Sequence, residues 1–155
     1  MEHADAARVG AVHVQVWREA YVGLMPDDYL AGLEASSFGS TWEERLAGPT
    51  PHGVLHRAGV APDGAIVGIG TAGPGREHET ATLRELWAIN VLASAHGSGL
   101  ADLMMAALLG DEPAYLWVLE GNERAISFYR RHGFEPDGVT KPFAPSGAVE
   151  LRMVR

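Results

Sequence analysis

Residues Leu83–Leu109 read LRELWAINVLASAHGSGLADLMMAALL: a run of strand character, a turn with two glycines, then a helical run. A strand that ends in a glycine-rich turn and opens a helix is suited to binding a phosphate. The N–H groups of a helix's first turn have no partners within the helix, the helix dipole places positive potential there, and glycine lets an anion approach the main chain. Such a turn alone specifies an anion and nothing more. A second segment, Gly121–Phe134, GNERAISFYRRHGF, narrows the meaning.

Outward from this stretch, the chain predicts one continuous mixed α and β unit. Val9, Val12, His13, Val16, Trp17 and Ala20 recur at helical spacing, with Asp5 as a plausible cap. The stretch from Tyr21 to Leu33 is broken by Gly23 and Pro26, then regains helical spacing through Tyr29, Leu30 and Leu33. A short helix is expected over Trp42–Leu46. Val54–Val60 and Ala65–Thr71 flank Pro62-Asp63-Gly64, which predicts a β-hairpin ended by Gly73-Pro74-Gly75. After a polar loop, Arg76–Thr82, come a strand at Leu83–Leu92, a helix from about Gly99, a strand at Ala114–Leu119 and a helix at Asn122–His132. Strands near Phe134–Thr140 and Ala148–Val154 complete the order. If alternation runs unbroken, Glu85, Trp87, Ile89 and Val91 share one face of their strand, and Leu86, Ala88, Asn90 and Leu92 the other.

Composition excludes several classes. At 155 residues, 46% of them hydrophobic and 21% charged, the chain suits a single soluble domain, with no apolar run long enough to span a membrane. The first ten residues lack the basic-then-apolar order of a signal peptide. There is no cysteine, so there is no disulfide framework, thiolate nucleophile or cysteine metal site, and the seven histidines show no ligand spacing. A cytoplasmic setting follows by default. A net charge of −8 speaks against nucleic acid and suits a cationic or neutral substrate.

The element order and the two motifs together resemble the GNAT superfamily of acyl-CoA-dependent N-acyltransferases. The family's pyrophosphate loop has Gln or Arg, two residues, Gly, one residue, then Gly or Ala; here it reads His96-Gly97-Ser98-Gly99-Leu100-Ala101. The family's later signature is met by Asn122, Ala125, Phe128, Tyr129, Gly133 and Phe134. The resemblance implies a mixed, mostly antiparallel sheet flanked by helices. It departs in three places. His96 replaces Gln or Arg in a loop without Arg or Lys, which implies a weaker hold on coenzyme A, and Ala93 replaces a common Pro. Almost nothing precedes Asp5 where the family has a first strand, so that strand is absent or trimmed and a sheet edge is left open.

The resemblance also implies a chemistry for named residues. Acetyl-CoA would be the cosubstrate, its pyrophosphate wrapped by main-chain N–H groups of residues 97–101. Its pantetheine arm would dock along Ile89, Asn90 and Val91, with Asn122 and Phe128 also against the cofactor. Acyl transfer to an amine needs a neutral nucleophile, a polarised carbonyl and a proton for the departing thiolate. Tyr129 is placed to protonate the thiolate, a main-chain N–H near Val91 to polarise the carbonyl, and Glu85, directly or through water, to act as base. Trp17, Tyr21 and Tyr29 would wall the acceptor groove. The acceptor would be a primary amine of a small molecule or peptide, and a homodimer is compatible with the family.

Each assignment has a structural alternative. Tyr129 could pack its ring in the core, Asn122 could only cap its helix, and Glu85 could be half of an ion pair with Arg84 or another base. His96 could be a solvated loop residue or a phosphate contact. Two function classes stand: an N-acetyltransferase with direct transfer, and a catalytically silent acyl-CoA-binding or regulatory module.

Overall fold

Helix α1 (Ala6–Ala20) is amphipathic, and Ala6, Val9, Val12 and Val16 bury one stripe against the sheet and against Trp42. The structure, a computed structural model, describes residues 1–77, 83–144 and 146–155. Asp5 precedes α1 but does not cap it. Its carboxylate accepts the Glu2 N–H at 2.9 Å, closing a short 3-10 turn, and pairs with Arg8. Helix α2 (Asp27–Ala31) is a single turn after Pro26. Helix α3 (Ala35–Leu46) starts well before the expected Trp42. Its first half, ASSFGS, has low helix propensity, and packing on α1 supplies what propensity does not. The two helices touch backbone to backbone at Gly10 and Gly39. A Cβ on Gly10 would lie 2.4 Å from the Gly39 nitrogen.

Strands β1 (Leu55–Val60) and β2 (Ile66–Pro74) form the expected hairpin. The Asp63 side chain accepts the Ala65 N–H at 3.0 Å in its turn. The remaining strands are β3 (Arg84–Val91), β4 (Ala114–Leu119), β5 (Glu135–Pro142) and β6 (Val149–Val154), with α4 (Leu100–Leu108) and α5 (Glu123–Arg131) between them. The order across the sheet is β1-β2-β3-β4-β6-β5, and only β3 and β4 run parallel. Among the described residues no strand precedes α1, and β1 lies at one edge. Helices α1 and α3 cover one face. On the other, α4 and α5 bury Met105, Leu108, Ile126 and Tyr129 against Leu86, Leu116, Val118 and Met153. Close descent of α4 depends on Gly70, where a Cβ would lie 2.6 Å from the Leu108 methyl. No helix among the described residues is long and apolar enough to cross a membrane. Residues 78–82 of the expected polar loop lie outside those described.

The alternation expected for β3 is broken. Ala88 pairs with Thr71 and Leu86 with Ala72, so Trp87 is an extra residue, a β-bulge. Leu86 therefore shares the α4 face with Ile89 and Val91, while Glu85, Ala88 and Asn90 face α1. Without the bulge, Glu85 would lie on the side of Ile89 and Val91.

Candidate active site

The turn between β3 and α4 is built to receive an anion. Gly97 and Gly99 have φ of 75° and 81°, a region costly to side-chain-bearing residues, and a Cβ on either would meet no atom within 4 Å. Among the described residues, the N–H groups of Gly97, Gly99, Ala101 and Asp102 have no hydrogen-bond partner. Ser98 steadies the turn, its hydroxyl donating to the Ala95 carbonyl at 2.7 Å and accepting the Leu100 N–H at 3.3 Å. At its far end the Glu19 carboxylate of α1 accepts the Ala93 N–H at 2.8 Å. Free N–H groups, open space over the glycines and a positive helix end fit a pyrophosphate.

His96 is tied into this turn. Its Nε2 lies 3.0 Å from the Val91 carbonyl oxygen, and the Arg124 guanidinium of α5 lies against its ring. The cation missing from the loop's own sequence thus arrives from the first turn of α5. Arg124 carried no signal in sequence as a partner of this turn, because only the folded chain brings position 124 beside position 96.

Beyond the bulge the sheet opens. The β3–β4 ladder holds only for Arg84, Glu85 and Leu86 against Ala114, Tyr115 and Leu116, and the strands then part. The Leu92 N–H bonds to the Val67 carbonyl at 2.9 Å, so by antiparallel alternation the polar groups of Asn90 also face β2. Those of Ile89 and Val91 turn to the gap, where β4 no longer pairs with them. An extended chain with amides can dock there as an added strand.

Two cavities meet at this gap. One, of about 380 Å³, runs along the turn from His96 to Asp102 and past Phe128. The other, of about 470 Å³, lies on the α1 and α3 side over Thr71, Trp87, Asn90, Trp117 and Glu150. Ile89, Val91, Arg124, Ala125 and Tyr129 line both. Tyr129 is 8% exposed, and among the described residues its hydroxyl has no hydrogen-bond partner. Burial pushes its phenol above the ordinary tyrosine value, with the neighbouring Tyr21 adding to the effect, so it holds its proton.

Glu85 lies on the floor of the larger cavity, and both its oxygens are engaged. Oε1 accepts from the Arg76 guanidinium at 2.5 Å. Oε2 accepts from Arg76 Nε at 2.9 Å, the Arg76 N–H at 3.0 Å and the Tyr115 hydroxyl at 2.8 Å. Burial pushes the Glu85 carboxyl up, and the bonds from Arg76 and Tyr115 outweigh it, so the group lies below the usual glutamate range. Arg76 stacks over Trp87, with the guanidinium carbon 5.0 Å from the ring centroid. On the opposite wall, burial and the nearby Arg45 lower His13 to about 4, leaving it neutral near pH 7.

The expected site residues thus fall into groups. Ile89, Val91, His96, Gly97, Gly99, Leu100, Ala101, Phe128 and Tyr129 line the smaller cavity. Asn90, Asn122 and Glu85 line the larger one, as do Trp17 and Tyr21. Asn122 caps α5, its side chain accepting the Ala125 N–H at 3.2 Å. Tyr29 is not part of the wall; it packs beside the cluster of Val14, Met25, Leu30 and Leu33. Arg45, Arg76, Trp117, Lys141 and Glu150 join the larger cavity without having stood out in sequence.

Comparison with known proteins agrees with this geometry. Residues 55–136 match the family model described as an acetyltransferase (GNAT) domain. An uncharacterised N-acetyltransferase of Bacillus subtilis is 30% identical over 158 aligned positions, covering 97% of this chain and 85% of the relative. A probable N-acetyltransferase of Mycobacterium tuberculosis is 26% identical over 151 positions, covering 95% of this chain and 84% of the relative. In three dimensions the PaiA N-acetyltransferase of Thermoplasma acidophilum, solved in complex with coenzyme A, superposes with a TM-score of 0.71 at 14% identity, over 100% of this chain and 96% of that one. The anion-binding turn, the parted strands and these relatives lead to one conclusion: the chain belongs to the GNAT family of acetyltransferases.

Proposed function

We propose that this acetyltransferase moves an acetyl group directly from acetyl-CoA to a primary amine of a small molecule or peptide. The observation that carries the reading is the meeting of two cavities at Tyr129. One has the N–H groups for a pyrophosphate and the other the room for an acceptor, and direct transfer requires both reactants in one place. Main-chain groups of Ile89 and Val91 orient the pantetheine arm, and the Val91 N–H polarises the thioester carbonyl. Tyr129, protonated and open to both cavities, gives its proton to the departing thiolate. Glu85, with both oxygens occupied, anchors Arg76 against the cavity wall and reaches the acceptor only through water. A cytoplasmic setting belongs to the same reading, on the cysteine-free sequence.

Thiol release in the presence of a panel of primary amines tests the proposal, alongside thermal stabilisation by acetyl-CoA. Both should be seen. Stabilisation without thiol release from any amine would favour the silent binding module, and no stabilisation at saturating acetyl-CoA would remove both readings.

A further inference from the structure

One carboxylate in the larger cavity accepts no hydrogen bond and forms no ion pair among the described residues. Glu150 on β6 stands in register with Leu119 of β4 on one side and Lys141 of β5 on the other. Alternation therefore puts it on the same sheet face as Trp117 and Leu119, the floor of the cavity on the α1 side. The cation directly across is engaged elsewhere: Lys141 Nζ bonds to Glu77 at 2.9 Å and lies 3.8 Å from the Trp117 ring centroid. Arg76 is taken by Glu85. Among the described residues no basic group lies within ion-pair distance of Glu150, and its carboxylate accepts no hydrogen bond. A partly buried carboxylate left unpaired carries a desolvation cost that a bound cation would offset. Its position suits that use. Leu119, its neighbour across the ladder, gives its carbonyl to the N–H of Asn122, the cap of the helix that carries Tyr129.

We propose that Glu150 is the amine subsite, receiving the acceptor's ammonium and taking one of its protons; this rests on the reading that the protein acetylates amines. An N–H bond of the ammonium breaks and its proton passes to the Glu150 carboxylate. The freed lone pair forms a C–N bond to the thioester carbon, the C–S bond breaks, and the sulfur takes the Tyr129 proton. The phenolate then recovers a proton from the nitrogen, which leaves as an amide, and Glu150 returns its own to water. One ammonium and one thioester become one amide, one thiol and one proton, with nothing oxidised or reduced.

The surrounding charges suit this role. Burial raises the Glu150 carboxyl above the ordinary glutamate value. Lys141 on β5 and Arg76 after β2 pull it back, and Glu77 and Glu85 push it further up. Tyr21, the residue that ends α1, is raised to about 12 by burial and by Glu150 and remains neutral, and Tyr129 on α5, which lines the same cavity, is raised as well. Of two carboxylates in one cavity, Glu85 is thus held as an anion and Glu150 is the stronger base.

The test is equilibrium binding of phenethylamine and n-butylamine to the full chain loaded with coenzyme A, followed by tryptophan fluorescence, with acetyl transfer measured in parallel. Glu150→Gln should weaken amine binding about tenfold or more at neutral pH with coenzyme A affinity unchanged. It should also lower kcat/KM about 100-fold and remove the acid limb of its pH profile, and Glu150→Asp should recover part of both. Equal amine affinity in wild type and Glu150→Gln, or no saturable amine binding to the wild type, would overturn the proposal. Amine binding that depends on Glu150 without thiol release would keep the subsite and defeat acetyl transfer.

Discussion

Replacing Gly10 by alanine sets two effects of opposite sign against each other. Helix propensity alone favours alanine in the middle of α1 by about 1 kcal/mol. Packing opposes it, because the new Cβ would stand 2.4 Å from the Gly39 nitrogen and 2.7 Å from both the Gly39 Cα and the Ala35 carbonyl oxygen. These are backbone atoms of α3, so no side-chain rotation relieves them. Carbon contacts are comfortable from about 3.5 Å, so the helices must separate by roughly 1 Å where they touch. Overpacking of this kind costs about 1–3 kcal/mol or more, and a gap of that size forfeits a quarter to a half of the dispersion energy across it. The expected net loss is about 2 kcal/mol, a fall in Tm of about 4–8 °C for a domain of this size. Gly48→Ala is the control: its Cβ would meet nothing within 4 Å, and its effect should stay within about 0.5 kcal/mol. Urea and thermal unfolding of both variants measure the difference. A Gly10→Ala protein as stable as wild type, or more so, would mean that α1 and α3 do not make this contact. Because α1 and α3 wall the larger cavity, the proposed acceptor site, through His13, Trp17 and Arg45, the variant should also raise the KM for amine more than that for acetyl-CoA.

Tyr129→Phe should lower turnover by about 100-fold while leaving acetyl-CoA affinity unchanged; unaltered turnover would take Tyr129 out of the mechanism. Gly99→Ala forces a side chain into left-handed backbone, a strain of about 1–2 kcal/mol, and points a methyl into the open space over the turn. Acetyl-CoA should bind about tenfold more weakly by calorimetry, and an unchanged Kd would place the pyrophosphate elsewhere. Arg124→Ala should weaken acetyl-CoA binding by a factor that shrinks at high salt, since the lost interaction is an exposed charge; a salt-independent loss would argue for packing instead. His13 titrates near 4 in the folded chain against about 6.5 unfolded, so between these values the unfolded state binds more protons and stability falls as the pH falls. His13→Leu should flatten the slope of unfolding free energy between about pH 6.5 and 4, by up to about 3 kcal/mol over that range. An identical slope in the variant would show that His13 is not buried neutral.

What the sequence reveals follows the range of the interactions involved. The hairpin at Asp63-Gly64, the strand Ala114–Leu119, the Asn122 cap and the two left-handed glycines are set by neighbours a few residues away, and all are visible in the chain itself. The start of α3 was hidden because ASSFGS has low helix propensity and its close packing on Gly10 is a contact between distant residues. The bulge at Trp87 was hidden because nothing in LRELWAINV marks an extra residue; it exists only in register with β2. Arg76 on Glu85, Arg124 on His96 and the unpaired Glu150 all depend on which distant residues meet, so the residue types were visible but their pairing was not. Asp5 shows the converse error: a good capping residue in the expected place was drawn to the Glu2 N–H instead.

The bulge at Trp87 has a further consequence for how such a chain can change over time. It sends the side chains of Ala88 and Asn90 into the larger cavity, while what Ile89 and Val91 turn to the gap is main chain. Peptide groups are identical in every residue but proline, so mutation there leaves this open main-chain edge chemically the same. If the proposed docking holds, the same short strand can thus drift in its choice of amine while its grip on the thioester arm is inherited with the backbone.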